Sequence, residues 1–159
     1  EVSDTMQFWL MKSEPDEVSI DHLANLPAQT VPWFGVRNYQ ARNFMCDAMQ
    51  IGDLAFFYHS GCAEPGIAGI CEVCSEPYPD ATQFVAVDPY FDPKSSPEQP
   101  RWWLRDVRFV KKTPYLTLAE LRRHQELANM RLLARGNRLS ITPVTAEEWA
   151  FINRRLAEN

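Results

Sequence analysis

The sequence predicts a single domain of the mixed α+β class, with five to six strands in a curled sheet or barrel and helices packed around it. Its 159 residues, 45% of them apolar, are enough for one domain with a full hydrophobic core. Strand-like runs and helical stretches do not alternate strictly, which disfavours a doubly wound parallel sheet. No linker or internal repeat divides the chain. We therefore expect one domain over residues 7–158, preceded by a flexible tail of residues 1–6.

The first half of the chain predicts three strands and two helices. Runs of β-prone apolar residues predict buried strands at 8–12, 54–58 and 67–74. A short helix is predicted from 20 to 26, with Ser19 as its N-cap and Pro27 ending it. A second helix is predicted from 38 to 49, because Asn38 is a good N-cap and apolar residues follow at helical spacing.

The second half predicts two strands, a long loop and two capped helices. Residues 84–88 predict a strand at the sheet edge, and residues 102–112 alternate well enough to form one long strand. Four prolines and two serines between 89 and 100 indicate an irregular loop. Capping boxes at Thr117–Glu120 and Thr145–Glu148 predict one helix that ends near Leu127 and another at the end of the sequence.

Charge is distributed unevenly along the chain. The formal net charge is −5, which disfavours a general polyanion-binding protein. Residues 1–100 carry four basic and fifteen acidic side chains, whereas residues 101–159 carry twelve basic and six acidic ones. Such asymmetry can produce a basic face on an acidic body, to which nucleic acid responds locally. Solvated helices coated with arginine would give the same pattern.

Targeting signals and metal motifs are weak. No apolar run is long enough to span a bilayer, and the polar, acidic residues 1–5 are unlike a secretory signal. We expect a soluble, monomeric protein, cytoplasmic in a bacterium or nuclear in a eukaryote. Cys71 and Cys74 lie three apart in a predicted strand, where their side chains face opposite sides. We therefore favour buried thiols over a metal site that would also use His59 and Cys62.

Aromatic rings and short polar side chains gather in the loops at the predicted strand ends. Trp33 stands in a Gly/Pro-rich loop, and Arg37 follows it closely. A nucleobase stacked on an indole gains about 1–3 kcal/mol, while Asn or Ser can contact the base edge and Arg or Lys the phosphate. The residues alone equally allow Trp33 to fill the core and Arg37 to pair with an acid.

Seven motifs in sequence order resemble the EVE domain. They are 9–16 (WLMKSEPD), 33–43 (WFGVRNYQARN), 57–60 (FYHS), 66–70 (GIAGI), 78–84 (YPDATQF), 90–94 (YFDPK) and 136–140 (GNRLS). Together they cover nearly the whole chain, from about residue 8 to 156. The resemblance implies a PUA-like fold, related to YTH and ASCH domains, in which a strongly curved sheet has a pocket at one end. It also implies a nucleic-acid partner and no cofactor.

The resemblance further implies which residues form the site. EVE domains are thought to bind modified bases in DNA, modified cytosines foremost, in an aromatic pocket. Carried over by motif, the pocket residues are Lys12, Ser13, Trp33, Asn38, Tyr39, Asn43, Tyr58, His59, Ser60, Leu139 and Ser140. Arg37, Arg42 and Arg138 are expected to contact phosphate, with a pocket-bracing ion pair as the alternative for Arg37 and Arg138.

Two alternatives remain besides a module that binds modified bases. The first is an RNA-binding PUA-like adapter, and the second is a small-molecule-binding protein or hydrolase that uses the same pocket. His59 and Ser60 could suggest a base and a nucleophile, but adjacent strand residues point oppositely and no third partner is evident. No phosphate-binding or nucleophile-elbow motif is present. We therefore expect a binding module rather than an enzyme.

Overall fold

The sheet has six strands, and a second, two-stranded sheet lies beside it. The computed structural model describes residues 6–158, so five of the six residues of the expected tail lie outside it. The strands are β1 (Phe8–Ser13), β2 (Thr30–Pro32), β3 (Leu54–His59), β4 (Gly66–Val73), β5 (Tyr78–Pro79), β6 (Trp103–Leu104), β7 (Asp106–Thr117) and β8 (Ile141–Val144). The main sheet has the order β2-β7-β4-β3-β1-β8, and β5 pairs with β6. This mixed α+β architecture confirms the predicted fold class.

The central strands β1 and β3 run parallel, and every other neighbouring pair in the sheet is antiparallel. The register runs from Phe8 opposite Leu54 to Ser13 opposite His59. Parallel strands end at the same edge of a sheet. The loops that follow β1 and β3 therefore meet there, where the Ser60 amide donates a 2.9 Å hydrogen bond to the Ser13 carbonyl.

Four helices within residues 6–158 pack on the sheet, each begun by the cap that its sequence predicts. They are α1 (Ile20–Asn25), α2 (Tyr39–Asn43, continued by a π-helical turn at Phe44–Ala48), α3 (Leu118–Arg122) and α4 (Ala146–Glu158). Asn38 accepts a hydrogen bond from the Ala41 amide. The capping box before α4 is complete, because the Thr145 hydroxyl accepts from the Glu148 amide and the Glu148 carboxylate accepts from the Thr145 amide.

Strand alternation divides the core into two layers, one on each face of the sheet. Trp9 and Phe57 point into the layer that α1 and α2 cover. Leu10 and Phe56 point into the layer that α3 and α4 cover. None of the described helices is long and apolar enough to cross a membrane.

Two segments differ from the prediction. Residues 84–88 are not an edge strand, because residues 81–84 form a 3₁₀ turn that the buried Asp80 side chain caps. The predicted long strand over 102–112 is broken at Arg105 and extends to Thr117. The Arg105 guanidinium leaves the sheet to bind the carbonyls of Met45, Met49 and Ser75. The first deviation follows from a local cap by the Asp80 side chain, and the second from long-range contacts of the Arg105 side chain.

Candidate functional site

A cavity of about 440 Å³ opens at the edge of the sheet where β1 and β3 end. Its walls come from the loop after β1, the segment from β2 to Val36, the loop after β3, Tyr90 and the segment before β8. The lining residues are Lys12, Ser13, Glu14, Glu17, Val18, Val31, Pro32, Trp33, Phe34, Gly35, Val36, Ser60, Tyr90, Asn137, Arg138 and Ser140. The cavity is therefore assembled from segments far apart in the sequence.

Trp33 forms an aromatic wall of the cavity and belongs to the core at the same time. Its side chain is nearly buried, and its ring meets Phe57 edge to face at a centroid distance of 5.5 Å. Its amide donates a 2.9 Å hydrogen bond to the Arg105 carbonyl. The two roles that the sequence left open, core filler and pocket wall, are thus combined in one indole.

Phe34 and Tyr90 supply further aromatic surface. Their rings meet at a centroid distance of 5.8 Å, and the Tyr90 hydroxyl donates to the Glu17 carboxylate at 2.8 Å. Burial, reinforced by this hydrogen bond, raises the pKa of Tyr90 to about 12, so the phenol stays protonated. Gly35 lies against the Tyr90 ring at φ +85°, and a Cβ there would lie 2.8 Å from Tyr90 Cζ. This close approach requires glycine.

A polar network braces the aromatic wall from outside the cavity. Arg37 donates to the Tyr90 carbonyl at 2.7 and 3.1 Å and to the Thr82 hydroxyl at 3.0 Å. It also pairs with the fully buried Asp80 at 3.2 Å. Asp80 in turn accepts the Gly35 amide at 2.8 Å. The network therefore holds Gly35 and Tyr90 in a fixed relationship.

Cationic, anionic and uncharged polar groups surround the cavity. Lys12 is half-buried, and burial lowers the pKa of its ammonium. Arg138 is exposed, as are Glu14 and Glu17 on another part of the lining. Within the described residues, the buried Asn137 Nδ2 has no hydrogen-bond partner. The site therefore offers cations, carboxylates and an amide beside an aromatic surface.

Five of the predicted pocket residues line the cavity: Lys12, Ser13, Trp33, Ser60 and Ser140. The Ser13 hydroxyl is engaged, because it donates to the Val18 carbonyl at 2.7 Å. The structure thus brings these residues together, although their contact with a base remains a prediction.

Six other predicted pocket residues lie outside the lining. Tyr58 and His59 belong to β3, but Tyr58 points into the core layer under α3 and α4, on the opposite face from Phe57 and Trp33. The His59 ring accepts a 3.2 Å hydrogen bond from the Ile20 amide. Leu139 is half-buried and does not line the cavity.

The remaining three belong to α2, on a neighbouring surface. Asn38 caps the helix. Tyr39 stacks on Trp102 at a centroid distance of 4.9 Å, and Asn43 accepts hydrogen bonds from Arg42. These three side chains are used in building α2 and its surroundings rather than in lining the cavity.

The three predicted phosphate contacts also separate. Arg138 lines the cavity, and its contact with phosphate stays a prediction. Arg37 is occupied by the brace, which matches the ion-pair alternative. Arg42 donates to the Arg101 carbonyl at 2.9 Å and its guanidinium lies 4.7 Å from the Tyr39 ring centroid, outside the lining.

Sequence reasoning missed Glu14, Glu17, Phe34, Tyr90 and Asn137. Four of them lie inside or beside motifs already noted, and Tyr90 opens the motif at 90–94. Only the pairing of distant loops brings them to one cavity. The thiol pair is not part of it, because Cys71 is buried in β4, where burial raises its pKa to about 12.

The sequence profile of the EVE domain matches residues 7–155. The chain belongs to the EVE domain family. This confirms the resemblance seen in the motifs.

Several known proteins are similar over nearly the whole chain. Human thymocyte nuclear protein 1 is 46% identical over 162 residues, which cover 91% of this chain and 71% of that protein. A structure of human THYN1 protein in complex with DNA containing 5-methylcytosine superposes with a TM-score of 0.90 at 46% identity, covering 96% of this chain and 99% of that one. The ASCH protein of Zymomonas mobilis shares the fold alone, with a TM-score of 0.56 at 7% identity over 93% of this chain and 97% of that one.

Proposed function

We propose that this EVE domain binds nucleic acid by taking one modified base, a modified cytosine in DNA foremost, into the cavity beside Trp33. The observation that carries the proposal is the braced aromatic wall, which shares with two cations, Lys12 and Arg138, a cavity large enough to admit a base. The human relative solved with 5-methylcytosine-containing DNA supports the same chemistry for this chain.

The lining suits a pyrimidine that carries an exocyclic amine. Carboxylates accept hydrogen bonds from the amino group of cytosine, and Glu14 and Glu17 supply carboxylates to the lining. A methyl group adds shape rather than polarity, so the aromatic wall would detect it by contact. Such a difference is worth about 1–3 kcal/mol, and we therefore expect moderate rather than absolute discrimination.

Two features favour binding over catalysis. A general base must reach the proton that it removes, whereas the His59 ring accepts from the Ile20 amide and does not line the cavity. The Tyr90 phenol donates to Glu17, and burial keeps it protonated.

The proposal places the module in the nucleus of a eukaryotic host or the cytoplasm of a bacterial one.

Equilibrium binding to a panel of oligonucleotides tests the proposal. The panel carries plain, methylated, hydroxymethylated or carboxylated cytosine, or N6-methyladenine, in single- and double-stranded DNA and RNA at two salt concentrations. We expect tighter binding to DNA that contains a modified cytosine than to the plain sequence. Stronger binding to RNA of the same sequence would favour the adapter alternative, and equal, weak binding to all would refute base recognition.

A cavity-blocked variant supplies the control. Ser140→Phe places a large ring in the cavity without removing a core side chain, since Ser140 is half-buried and its backbone carbonyl makes the hydrogen bond to Lys12. We expect Ser140→Phe to lose base selectivity while retaining weak, salt-dependent binding. Unaltered selectivity in the folded variant would place the base elsewhere.

A further inference from the structure

Three consecutive apolar residues form an exposed turn, here called the tip, shortly before Tyr90, which lines the cavity. Val85, Ala86 and Val87 all face solvent, and Val87 is 91% exposed. Single exposed apolar side chains are ordinary on a protein surface. A run of three is unfavourable for solubility unless it serves a function.

The tip is held on a rigid base. The Asp88 amide donates to the Val85 carbonyl at 2.9 Å, and the Phe91 amide donates to the Asp88 carbonyl at 3.0 Å. The Asp88 carboxylate accepts from the Tyr90 amide at 2.9 Å. Local hydrogen bonds therefore close this turn, and the Asp88 carboxylate is used within it while the valines stay exposed.

The same loop forms part of the cavity. Tyr90 lines the cavity, and the Arg37 guanidinium donates a 2.7 Å hydrogen bond to the Tyr90 carbonyl. Val87 precedes Tyr90 by only three residues. The apolar tip is thus tied to the wall against which a base would rest.

A base paired within a duplex cannot reach such a cavity unless it is flipped out of the stack, which costs a few kcal/mol. Proteins that distort DNA frequently insert apolar side chains between base steps. We propose that the Val85–Val87 tip enters double-stranded DNA and fills the space that the flipped base leaves. This inference rests on the proposed function, since it requires a base in the cavity.

A protein partner is a poor occupant for this tip. Specific protein interfaces bury about 800 Å² on each side, far more than three small side chains at a turn provide. Of the two flanking carboxylates, that of Asp92 accepts from the Trp102 indole and pairs with Arg101, and that of Asp88 accepts from the Tyr90 amide. A narrow apolar tip fits a gap in a base stack.

The test compares single- and double-stranded DNA carrying the same 5-methylcytosine. The variant is Val85→Ser/Val87→Ser, and the control is Ile51→Ser, which removes another exposed aliphatic side chain (54% exposed) before β3, at the opposite end of that strand from the cavity. Since the tip side chains are exposed, we expect both variants to fold with unchanged melting temperature.

We expect the tip variant to bind the duplex about tenfold more weakly, with single-strand affinity unchanged. An abasic site opposite the modified base should restore part of the loss, because the base is then unpaired. Equal affinity of wild type and variant for the duplex, or an equal loss of affinity on both substrates, overturns the proposed insertion of the tip. Wild-type protein that binds modified single strands but not duplex also overturns it while leaving the proposed function intact. No selective binding to either substrate overturns both.

Discussion

The Arg37 guanidinium donates two hydrogen bonds, of 2.7 and 3.1 Å, to the main-chain carbonyl of Tyr90. Arg37 does not itself line the cavity, although Tyr90 does. An arginine predicted to meet phosphate is therefore a positioning residue for an aromatic ring.

Replacing Arg37 by lysine should weaken the brace without removing the positive charge. An ammonium cannot reproduce the planar fork that reaches Tyr90, Thr82 and Asp80 together. Hydrogen bonds to charged groups contribute about 1.5–3 kcal/mol each, so we expect unfolding free energy to fall by about 2 kcal/mol. Urea titration measures the unfolding free energy. Oligonucleotide binding measures base selectivity, which we expect to fall as well. Arg42→Lys, outside the cavity, is the control, and unchanged base selectivity in Arg37→Lys would contradict the positioning role.

Gly35→Ala should destabilise the protein and displace Tyr90. The substitution places a methyl group 2.8 Å from the phenol ring in a left-handed backbone conformation. Conformational strain alone costs about 1–2 kcal/mol, and the collision adds to it. Gly136→Ala is the matched control, since Gly136 also has a positive φ of +76° but a Cβ there meets nothing within 4 Å. Equal losses of stability in the two variants would show that the contact with Tyr90 is unimportant.

Arg138→Ala should lower the salt dependence of binding to duplex DNA. Each phosphate contact contributes about 0.9 to the slope of log K against log salt concentration, and we expect the slope to fall by about that amount. Arg154→Ala, an exposed arginine on α4, provides the comparison. Should the two variants keep identical slopes, Arg138 makes no phosphate contact and its place at the cavity serves another purpose.

His59 should make stability depend on pH. Burial lowers its pKa below the ordinary value of about 6.5, and Lys112 adds to this while Asp21 opposes it. The unfolded chain therefore binds the proton more readily, so the contribution of His59 is complete above pH 6.5 and is lost as the pH falls below it. Unfolding free energies measured from pH 7.5 to 5 should decline less in His59→Gln than in wild type. His22→Gln, on the exposed side of α1, should follow wild type.

Local signals predicted the elements that local interactions control. The capping box of Thr145 and Glu148 appears in the structure with both hydrogen bonds, and Ser19 caps α1 as expected. The strand that Arg105 interrupts could not be predicted, because its guanidinium binds the carbonyls of Met45 and Met49, about sixty residues away. Pattern reasoning sees alternation but not such a distant partner.

The site was predicted in part for a related reason. The family motifs led to Trp33 and Ser60, which line the cavity, but also to Tyr58, whose place in β3 turns it to the opposite face from Phe57. Strand alternation alone separates Tyr58 from Phe57, and the structure places Trp33 against Phe57. Tyr90 opens a family motif, but its place at the cavity depends on hydrogen bonds from Arg37 to its carbonyl, which a sequence does not reveal.

Because the cavity walls come from segments between Lys12 and Ser140, no short fragment can contain the whole site. A ligand that occupies the cavity must therefore bind only the fully assembled chain. By linkage, such a ligand at one hundred times its dissociation constant raises the unfolding free energy by about 2.7 kcal/mol. Thermal denaturation with free modified nucleosides can thus serve as a label-free screen that ranks candidate bases before any oligonucleotide is synthesised.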